Sequence, residues 1–480
     1  MPRKSNRRDF LKTSAVAGMG YWVSGTQSVF AQSRMKNGKI NVASIGCGGQ
    51  GGGDIRNIAK CGANVVALCD VDWAMAAGAF KDFPKAARFY DFREMFDKMG
   101  KEIDAVQIST PDHTHAPATM LAMKLGKHVY TQKPLTHDVY EARVLTEAAR
   151  KYKVVTQMGN QGSAEPGLRE ACEVVWSGAI GAVREVHVWT NRPIWPQGAR
   201  AIVNLPRVRA ALSGNGDPNP EVPKTFNWDL WLGTAPERPF PGYKTIMPFS
   251  WRGWVDYGTG ALGDMACHTA NMAFRACKLG YPTSVEAEMS EAWNCETYPT
   301  WSIVKYEFPE REGLPPLQWT WYDGGRDKPS WVTAKLKELA GLGPNDKLAD
   351  SGSLLIGEKG VLFSPNDYGA QYFLLPKEKF ADYKPPTPTL PRHPEEWAEK
   401  KVHPHFMEWV TACEQNKPDL PFSNFSYAGP LTETVLLGCV AMRAGKRIEW
   451  DGPNLKITNI PEANAFLKRE YRKGWEDLVV

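Results

Sequence analysis

The segment Ile40–Gly51 reads INVASIGCGGQG, and the segment Val65–Asp70 reads VVALCD. The first holds a short apolar run that leads into a glycine-rich turn, and the second is an apolar run that ends in an acid. The residues from Asp54 to Lys60 between them suit a helix. Because buried parallel strands read as short apolar runs joined by helices, this order predicts a βαβ unit of a parallel sheet.

Three glycines in the turn stand at the positions of the pattern G-x-G-x-x-G. Gly46 allows the tight turn, Gly48 lets a pyrophosphate approach the backbone, and Gly51 lets the helix pack close to the strand. Asp70 can accept hydrogen bonds from both hydroxyls of a ribose and would repel a 2′-phosphate. This pattern predicts an NAD site, with NADP less favoured, and Asp72 is a second candidate for the ribose contact.

The alternation of strand and helix patterns continues beyond this unit. Ile103–Ser109, His128–Thr131 and Val154–Met158 are runs of strand length, and Val139–Lys151 carries apolar residues at helical spacing. They predict a doubly wound parallel sheet. Farther along the chain the strand-like runs suggest a second α/β domain with a mostly antiparallel sheet.

A polar loop follows the third predicted strand and reads STPDHTHAP at Ser109–Pro117. Loops at the carboxyl ends of parallel strands face the ligand crevice, so this loop is a candidate for ligand binding. His113 and His115 also have His-x-His spacing, but a metal site would need further ligands from other strand ends. With nine histidines in the whole chain, we expect no metal site.

A lysine follows the next predicted strand, in the segment Tyr130–Thr136, YTQKPLT. At this edge of the sheet, the ammonium group of Lys133 can donate to a substrate hydroxyl and stabilise developing negative charge on the oxygen. Pro134 fixes the turn that aims the lysine. A lone lysine is normally a solvated surface charge, so the prediction depends on the position of Lys133 at the crevice.

A third polar element lies in the segment Gly258–Asn271, GTGALGDMACHTAN, which indicates a glycine loop that enters a helix. Asp264 and His268 are four residues apart and share one face of that helix. A histidine titrates near neutral pH and a neighbouring acid would orient it, which suits transfer of a hydroxyl proton. The alternative is an ion pair on the surface of a helix.

The combination resembles the Gfo/Idh/MocA oxidoreductase family, named after glucose–fructose oxidoreductase and inositol dehydrogenase. The matching parts follow in order along the chain: the glycine turn, Pro111–Pro117, Lys133–Pro134, and Gly260 with Asp264 and His268. The resemblance implies a Rossmann dinucleotide-binding domain and a C-terminal α/β domain whose open, mostly antiparallel sheet often serves homo-oligomer contacts. It also implies Lys133, Asp264 and His268 as catalytic residues acting on sugars or polyols.

The motifs and the resemblance together predict the ligand contacts. The cofactor is expected to contact Gly46, Gly48, Gly49, Gln50, Gly51, Asp70, Thr110, Pro111, His115 and Lys133. The substrate is expected to contact His113, Trp195, Trp251 and Tyr257. The chain has 18 Trp, and flat aromatic faces suit the C–H faces of sugar rings. The alternative is that these tryptophans build the core of the second domain.

Two features depart from the family. Gln132 stands before the Lys-Pro pair, where the family usually has Glu, and this removes a negative charge beside Lys133 and the nicotinamide. The Pro-, Gly- and Trp-rich segment 191–258 is a long insertion, and loops of such length are usually functional.

The length of 480 residues predicts more than one domain. We expect a signal peptide over 1–31, a Rossmann domain over 32–158 and a C-terminal substrate and oligomerisation domain over 159–480. The start carries Arg7-Arg8 before Phe-Leu-Lys, which resembles a twin-arginine export signal. A small-x-small cleavage pattern at 29–31 then predicts a mature start at Gln32. Glycines in the intervening run make it a poor membrane span.

The composition agrees with an exported protein that acts on small molecules. Residues 1–31 hold five Lys or Arg and one Asp, so most of the net charge of +5 lies there, and no basic excess remains for nucleic acid. The nine cysteines form no C-x-x-C pair. Because the periplasm offers little free NAD, we expect the cofactor to be loaded before export and to stay tightly bound.

Three functions stay open at this point. The first is a periplasmic oxidoreductase in which His268 takes a hydroxyl proton from a sugar, polyol or glycoside and Lys133 steadies the oxygen. The second is a redox-neutral, NAD-dependent glycoside hydrolase that works through a transient ketosugar. The third is a catalytically silent sugar-binding protein, which the intact set of Lys133, Asp264 and His268 disfavours.

Overall fold

The computed structural model describes residues 38–206, 208 and 219–479. The predicted signal peptide over 1–31, with its cleavage site before Gln32, lies outside the described residues. Within the part of the chain that is described, no helix is long and apolar enough to cross a membrane.

The first sheet is parallel and has the strand order β3-β2-β1-β4-β5-β6. Its strands are β1 (Asn41–Ile45), β2 (Asn64–Cys69), β3 (Ala87–Phe89), β4 (Ala105–Ile108), β5 (His128–Thr131) and β6 (Thr156–Met158). The strand order reverses direction between β1 and β4, which is where ligands bind in doubly wound sheets. The predicted Rossmann fold is confirmed.

Helices cover both faces of this sheet. They are α1 (Gly49–Lys60), α2 (Trp73–Asp82), α3 (Phe92–Met99), α4 (His115–Lys124) and α5 (Val139–Tyr152). Polar side chains fix where several of them begin. Asp138 and Glu141 form a capping box at the start of α5, which satisfies N–H groups that have no partner within the helix.

The second sheet has nine strands in the order β13-β12-β11-β7-β10-β9-β8-β14-β15. They are β7 (Val183–Trp189), β8 (Ser284–Met289), β9 (Ser302–Phe308), β10 (Leu317–Tyr322), β11 (Gly352–Gly357), β12 (Val361–Ser364), β13 (Phe373–Leu375), β14 (Ile448–Asp451) and β15 (Lys456–Ile457). Only the β7–β10 pair is parallel among these neighbours. The predicted C-terminal α/β domain with a mostly antiparallel sheet is confirmed.

The remaining described helices lie between and after these strands. They are α6 (Pro166–Trp176), α7 (Ala199–Val203), α8 (Trp228–Leu232), α9 (Tyr243–Ile246), α10 (Gly260–Thr269), α11 (Asn271–Ala276), α12 (Ser330–Leu339), α13 (Glu395–Glu399), α14 (Pro404–Gln415) and α15 (Phe425–Ala444). Helices α7, α8 and α9 belong to the insertion 191–258. Its described part has a small aromatic core of its own, which includes Phe226, Trp231 and Trp254.

Helix α14 lies late in the chain but packs on the parallel sheet. Its Trp409 is fully buried and donates from Nε1 to the carbonyl oxygen of Val129 in β5, at 3.0 Å. Gln157 in β6 donates to the carbonyl oxygen of His405 at 2.7 Å. The chain therefore returns from the second sheet to complete the hydrophobic cover of the first.

Candidate active site

A cavity of about 770 Å³ opens at the carboxyl ends of β1, β4 and β5. One end is lined by the glycine turn and by the residues after β2, including Asp70. The other end is lined by Lys133, Asp264 and His268. The structure thus brings together, in one cavity, the three motifs that lie far apart in the sequence.

The glycine turn has the close approaches that its sequence predicts. Gly46 has φ of +77°, and a Cβ there would lie 2.6 Å from the carbonyl oxygen of Ser109. A Cβ at Gly51 would overlap the carbonyl oxygen of Gly46. Gly48, Gly49 and Gln50 line the cavity, whereas Gly51 acts by letting α1 pack against the turn.

Asp70 closes the turn from the end of β2. Its Oδ2 accepts from the backbone N–H groups of Cys47 and Gly48 at 2.8 and 3.0 Å, and its Oδ1 accepts from the N–H of Asp72 at 2.8 Å. Burial raises the pKa of Asp70 to about 6. The Asp72 carboxylate is instead the N-cap of α2 and also accepts from the hydroxyl of Tyr243 at 2.5 Å. Asp70 is therefore the better placed of the two for a ribose.

Lys133 is held by a double contact with α10. Its Nζ donates to both the carbonyl oxygen and the Oδ1 of Asp264, each at 2.8 Å. The same Oδ1 accepts from the Nε of Arg252 at 2.9 Å. Although burial alone would raise the pKa of Asp264, these two cations hold its pKa well below the usual range. The carboxylate therefore stays ionised and fixes the direction of Lys133.

His268 lies one turn after Asp264 but does not bond to it. The predicted orienting hydrogen bond between them is not made in this structure, where Lys133 and Arg252 both donate to Oδ1 of the carboxylate. The imidazole is buried and packs edge-to-face on Tyr368, with the ring centroids 4.9 Å apart. Its Nδ1 has no hydrogen-bond partner among the described residues. Burial and the charge of Lys133 lower the pKa of His268 well below its usual value, which favours the neutral ring.

Two further polar residues of the site, Asp112 and Arg252, were not predicted from the sequence. Asp112 lines the cavity and accepts from the hydroxyl of Thr259 at 2.7 Å, and burial raises its pKa to about 7. It lies inside the loop STPDHTHAP, so its position after a parallel strand could have identified it. Nothing in the sequence around Arg252 indicates its ion pair with Asp264.

Besides Gly51, three of the predicted ligand contacts lie outside the lining of the cavity, namely His113, Tyr257 and His115. The ring nitrogens of His113 face the carbonyl oxygens of Trp231 and Tyr257 at 2.9 and 3.2 Å, and burial lowers its pKa to about 3. Tyr257 packs in the core of the insertion. His113 and Tyr257 thus join the insertion to the loop after β4 and do not line the cavity.

His115 is the third of these residues, and it connects two loops that line the cavity. Its Nε2 lies 2.8 Å from the carbonyl oxygen of Thr110, and its Nδ1 lies 2.8 Å from that of Pro134. The loop residues Thr110 and Pro111 themselves line the cavity. His115 does not line the cavity itself, and it connects the two loops through these contacts.

Trp195 and Trp251 do line the cavity, as the sequence predicts. Their rings lie around the guanidinium of Arg252, whose Cζ is 5.8 Å from the Trp195 ring and 4.2 Å from the Trp251 ring. An aromatic face attracts a cation placed over it. Part of this aromatic surface therefore positions Arg252, and through it Asp264.

The residues present fit a bound NAD. A Cβ at Gly46 or at Gly48 would lie within 3.0 Å of a neighbouring atom, so the turn has no room for side chains at these two positions, and Asp70 lies at its end. The hydroxyl oxygen of Thr110 is buried and has no partner among the described residues. In the same described part of the chain, no group of three or more His, Cys, Asp or Glu side chains is placed to hold a metal ion.

The structure has a Rossmann domain and a C-terminal α/β domain, and two family models match parts of these domains. Residues 40–160 match the model of the Gfo/Idh/MocA oxidoreductase family for its NAD-binding Rossmann fold, and residues 212–311 match the model for its C-terminal α/β domain. Models of two domains of the Gfo/Idh/MocA oxidoreductase family thus match parts of this chain, and the NAD prediction is confirmed.

Curated relatives match over part of the chain. A glycosyl hydrolase family 109 protein of Solibacter usitatus is 32% identical over 154 residues, which are 29% of this chain and 35% of the relative. Inositol 2-dehydrogenase 2 of Saccharopolyspora erythraea is 32% identical over 151 residues, which are 31% of this chain and 44% of the relative. The matched segment spans less than half the length of these relatives.

Solved structures resemble the chain over most of its length. One is the WlbA dehydrogenase from Bordetella pertussis, solved with NADH and UDP-GlcNAcA, with a TM-score of 0.55 at 16% identity. The match covers 86% of this chain and 99% of the WlbA chain. Another is an inositol dehydrogenase homologue from Azotobacter vinelandii, solved with NADH and myo-inositol, with a TM-score of 0.54 at 15% identity. The match covers 86% of this chain and 98% of the homologue. At these identities the likeness concerns the fold.

Proposed function

We propose that this protein is an NAD-dependent oxidoreductase that oxidises a hydroxyl-bearing carbon of a sugar, polyol or glycoside. The observation that carries the proposal is the geometry around Lys133. Its ammonium group is fixed by Asp264 in the cavity that the NAD-binding turn shares, and the neutral imidazole of His268 lies in the same cavity.

Each of the three residues has a separate task in this reaction. The ammonium group of Lys133 donates a hydrogen bond to the substrate oxygen and stabilises the negative charge that develops there. His268 accepts the hydroxyl proton, which its neutral state allows. Asp264 holds Lys133 in place. Bound NAD supplies the hydride acceptor for the C–H bond that breaks as the carbonyl forms.

The names of the relatives support a carbohydrate or polyol substrate. Two of them are inositol dehydrogenases by name, from Saccharopolyspora erythraea and Rubrobacter xylanophilus. The lining of the cavity agrees, since it combines charged groups with the indole rings of Trp195 and Trp251. Sugars and polyols offer both hydroxyl groups and apolar C–H faces.

A second candidate is a redox-neutral glycoside hydrolase. Glycosyl hydrolase family 109 proteins of Solibacter usitatus and Shewanella pealeana are among the relatives. In that reaction, a transient ketone acidifies the neighbouring C–H, the aglycone leaves by elimination, and the reduced cofactor is used again. The same residues, Lys133 and His268, would serve the oxidation step.

A panel of free sugars, polyols and aryl glycosides separates the candidates. The purified protein is first examined for bound nicotinamide by its absorbance and fluorescence. Oxidation of a hydroxyl with a matching gain in NADH supports the oxidoreductase. Release of aglycone without net NADH supports the hydrolase. Bound cofactor with no turnover on the whole panel contradicts both and favours a sugar-binding protein.

We further propose that the chain is exported to the periplasm with its cofactor already bound. The support is the Arg7-Arg8 pair, which resembles a twin-arginine signal. Cell fractionation is expected to find the protein in the periplasm, and the double variant Arg7→Lys/Arg8→Lys in the cytoplasm. Recovery of that variant in the periplasm at the normal level would contradict this route.

A further inference from the structure

Helix α1 carries a carboxylate that the proposed reaction leaves unexplained. Asp54 is 0% exposed and lines the cavity. Its Oδ1 accepts from Nε2 of Gln50, and its Oδ2 accepts from the hydroxyl of Ser109 and from Nε2 of Gln132, all three at 2.8 Å. These donors are neutral. Among the described residues, no Lys, Arg or His lies within ion-pair distance of Asp54.

The hydrogen bonds around Asp54 are directed toward an ionised carboxylate. The hydroxyl of Ser44 donates to Gln107, whose amide donates to Ser109, and the hydroxyl of Ser109 donates to Asp54. A protonated Asp54 would bring a further hydrogen to a group already surrounded by donors. Burial raises its pKa to about 6, so the group is charged above that pH.

Asp54 lies at the end of the cavity that Gln132 and Lys133 line. Gln132 donates to Asp54 through its side-chain amide, and its Oε1 accepts from the backbone N–H of Lys133 at 3.2 Å. The carboxylate of Asp54 therefore lies one side chain away from the catalytic lysine. Asp70, the expected ribose contact, bonds instead to the backbone N–H groups of Cys47 and Gly48 in the turn.

We propose that Asp54 tunes the bound cofactor by favouring the oxidised, positively charged nicotinamide over the neutral reduced ring. This rests on the proposed function, because it requires the nicotinamide to lie at the Lys133 end. A buried carboxylate without a cationic partner attracts a positive charge far more strongly than an exposed one does. The resting enzyme is then kept in the form that oxidises an alcohol.

The hydrogen bond between Gln132 and Asp54 also bears on why a Gln stands at position 132. The family that this chain resembles usually has a carboxylate there, and here the carboxylate is found across a single hydrogen bond, on α1. The negative charge lies on α1 instead, joined to the backbone N–H of Lys133 through the side chain of Gln132. Moving the carboxylate from position 54 to position 132 therefore tests whether the negative charge itself is required.

The experiment measures dissociation constants for NADH and NAD⁺ by calorimetry on cofactor-stripped protein. Asp54→Asn is expected to weaken binding of NAD⁺ more than binding of NADH. The ratio Kd(NADH)/Kd(NAD⁺) is therefore expected to fall by about tenfold. The double variant Asp54→Asn/Gln132→Glu is expected to restore the ratio, because it returns one carboxylate to the same hydrogen bond. Asp91→Asn is the control, since Asp91 lines the ribose end and pairs with Arg93 at 2.7 Å, and it should leave the ratio unchanged.

The outcomes separate this inference from the proposed function. Asp54→Asn with both constants weakened equally would overturn the inference and leave the function standing. Wild-type protein that binds neither form would overturn the function and the inference together. If Asp54→Asn does not fold, Asp54→Ser serves in its place, with the same fall in the ratio expected and an unchanged ratio as the contrary result.

Discussion

Replacing Lys133 with Met is expected to lower kcat by about a hundredfold to a thousandfold, the usual effect of removing one donor to a developing oxyanion. Met has a similar length and shape, so it fills the space without a charge. Turnover on the best substrate of the panel gives kcat and KM, and the absorbance of bound nicotinamide reports the cofactor separately. The cofactor is expected to remain bound, because the glycine turn and Asp70 hold its other end.

The matched control for this variant is Lys98→Met. Lys98 lies on the exposed face of α3, where it pairs with Glu94, and exposed pairs contribute little to stability. This control should keep full activity. Normal turnover in Lys133→Met would remove the lysine from the reaction, whereas loss of cofactor from that variant would show that Lys133 acts mainly in binding.

The sequence was sufficient for the fold because its signals are local. The segment Ile40–Gly51 contains a strand, a turn that excludes side chains and the start of a helix, and the structure has these three at the expected residues. The alternation of short apolar strands with helices then continues to Met158. Each signal depends on neighbouring residues alone, so no knowledge of the second domain is needed.

The site was less predictable because its contacts join distant segments. Asp264 and His268 share a helix face, which suggests a pair. In the structure, Oδ1 of Asp264 accepts hydrogen bonds from Lys133 and Arg252 instead. Two full charges bind an ionised carboxylate more strongly than a neutral imidazole does. The spacing of four residues could not reveal these partners, of which one lies 131 residues away in the sequence.

The insertion 191–258 was expected to shape the substrate site, and much of it instead lies on the ribose end. Asn227 donates from its backbone N–H to the carbonyl oxygen of Val71 at 2.8 Å, and Trp73 donates to that of Thr225 at 3.0 Å. These bonds attach the insertion to the residues that directly follow Asp70. The hydroxyl of Tyr243 adds its bond to Asp72. The insertion therefore covers the end of β2, where the ribose is expected.

The C-terminal tail reaches the same place from the other side. Arg469 donates to the carbonyl oxygen of His113 at 2.6 Å, and Arg472 donates to that of Gly233 at 2.9 Å. Farther along, Trp475 packs on Phe92, with their ring centroids 5.9 Å apart, and lines the cavity. Arg93 lies over its ring at 4.2 Å. Tail and insertion together enclose the ribose end of the dinucleotide site.

Replacing Trp475 with Ala is therefore expected to speed release of the cofactor by about tenfold to a hundredfold. This is the effect expected when one large aromatic side chain is removed from an apolar contact. Gel filtration of the loaded protein, followed by the fluorescence of the nicotinamide that elutes free, measures the release. The rest of the tail keeps its bonds through Arg469 and Arg472, so the fold should persist.

Trp331→Ala is the matched control, because Trp331 is 50% exposed on α12 and lies outside the lining of the cavity. Equal release rates in both variants would mean that Trp475 does not retain the cofactor. Faster release from Trp475→Ala alone would show that the C-terminal tail helps to retain the dinucleotide. Trp475 is the residue to test, because it belongs to the tail and lines the cavity, whereas the contacts of the insertion with the residues after β2 stay unchanged in Trp475→Ala.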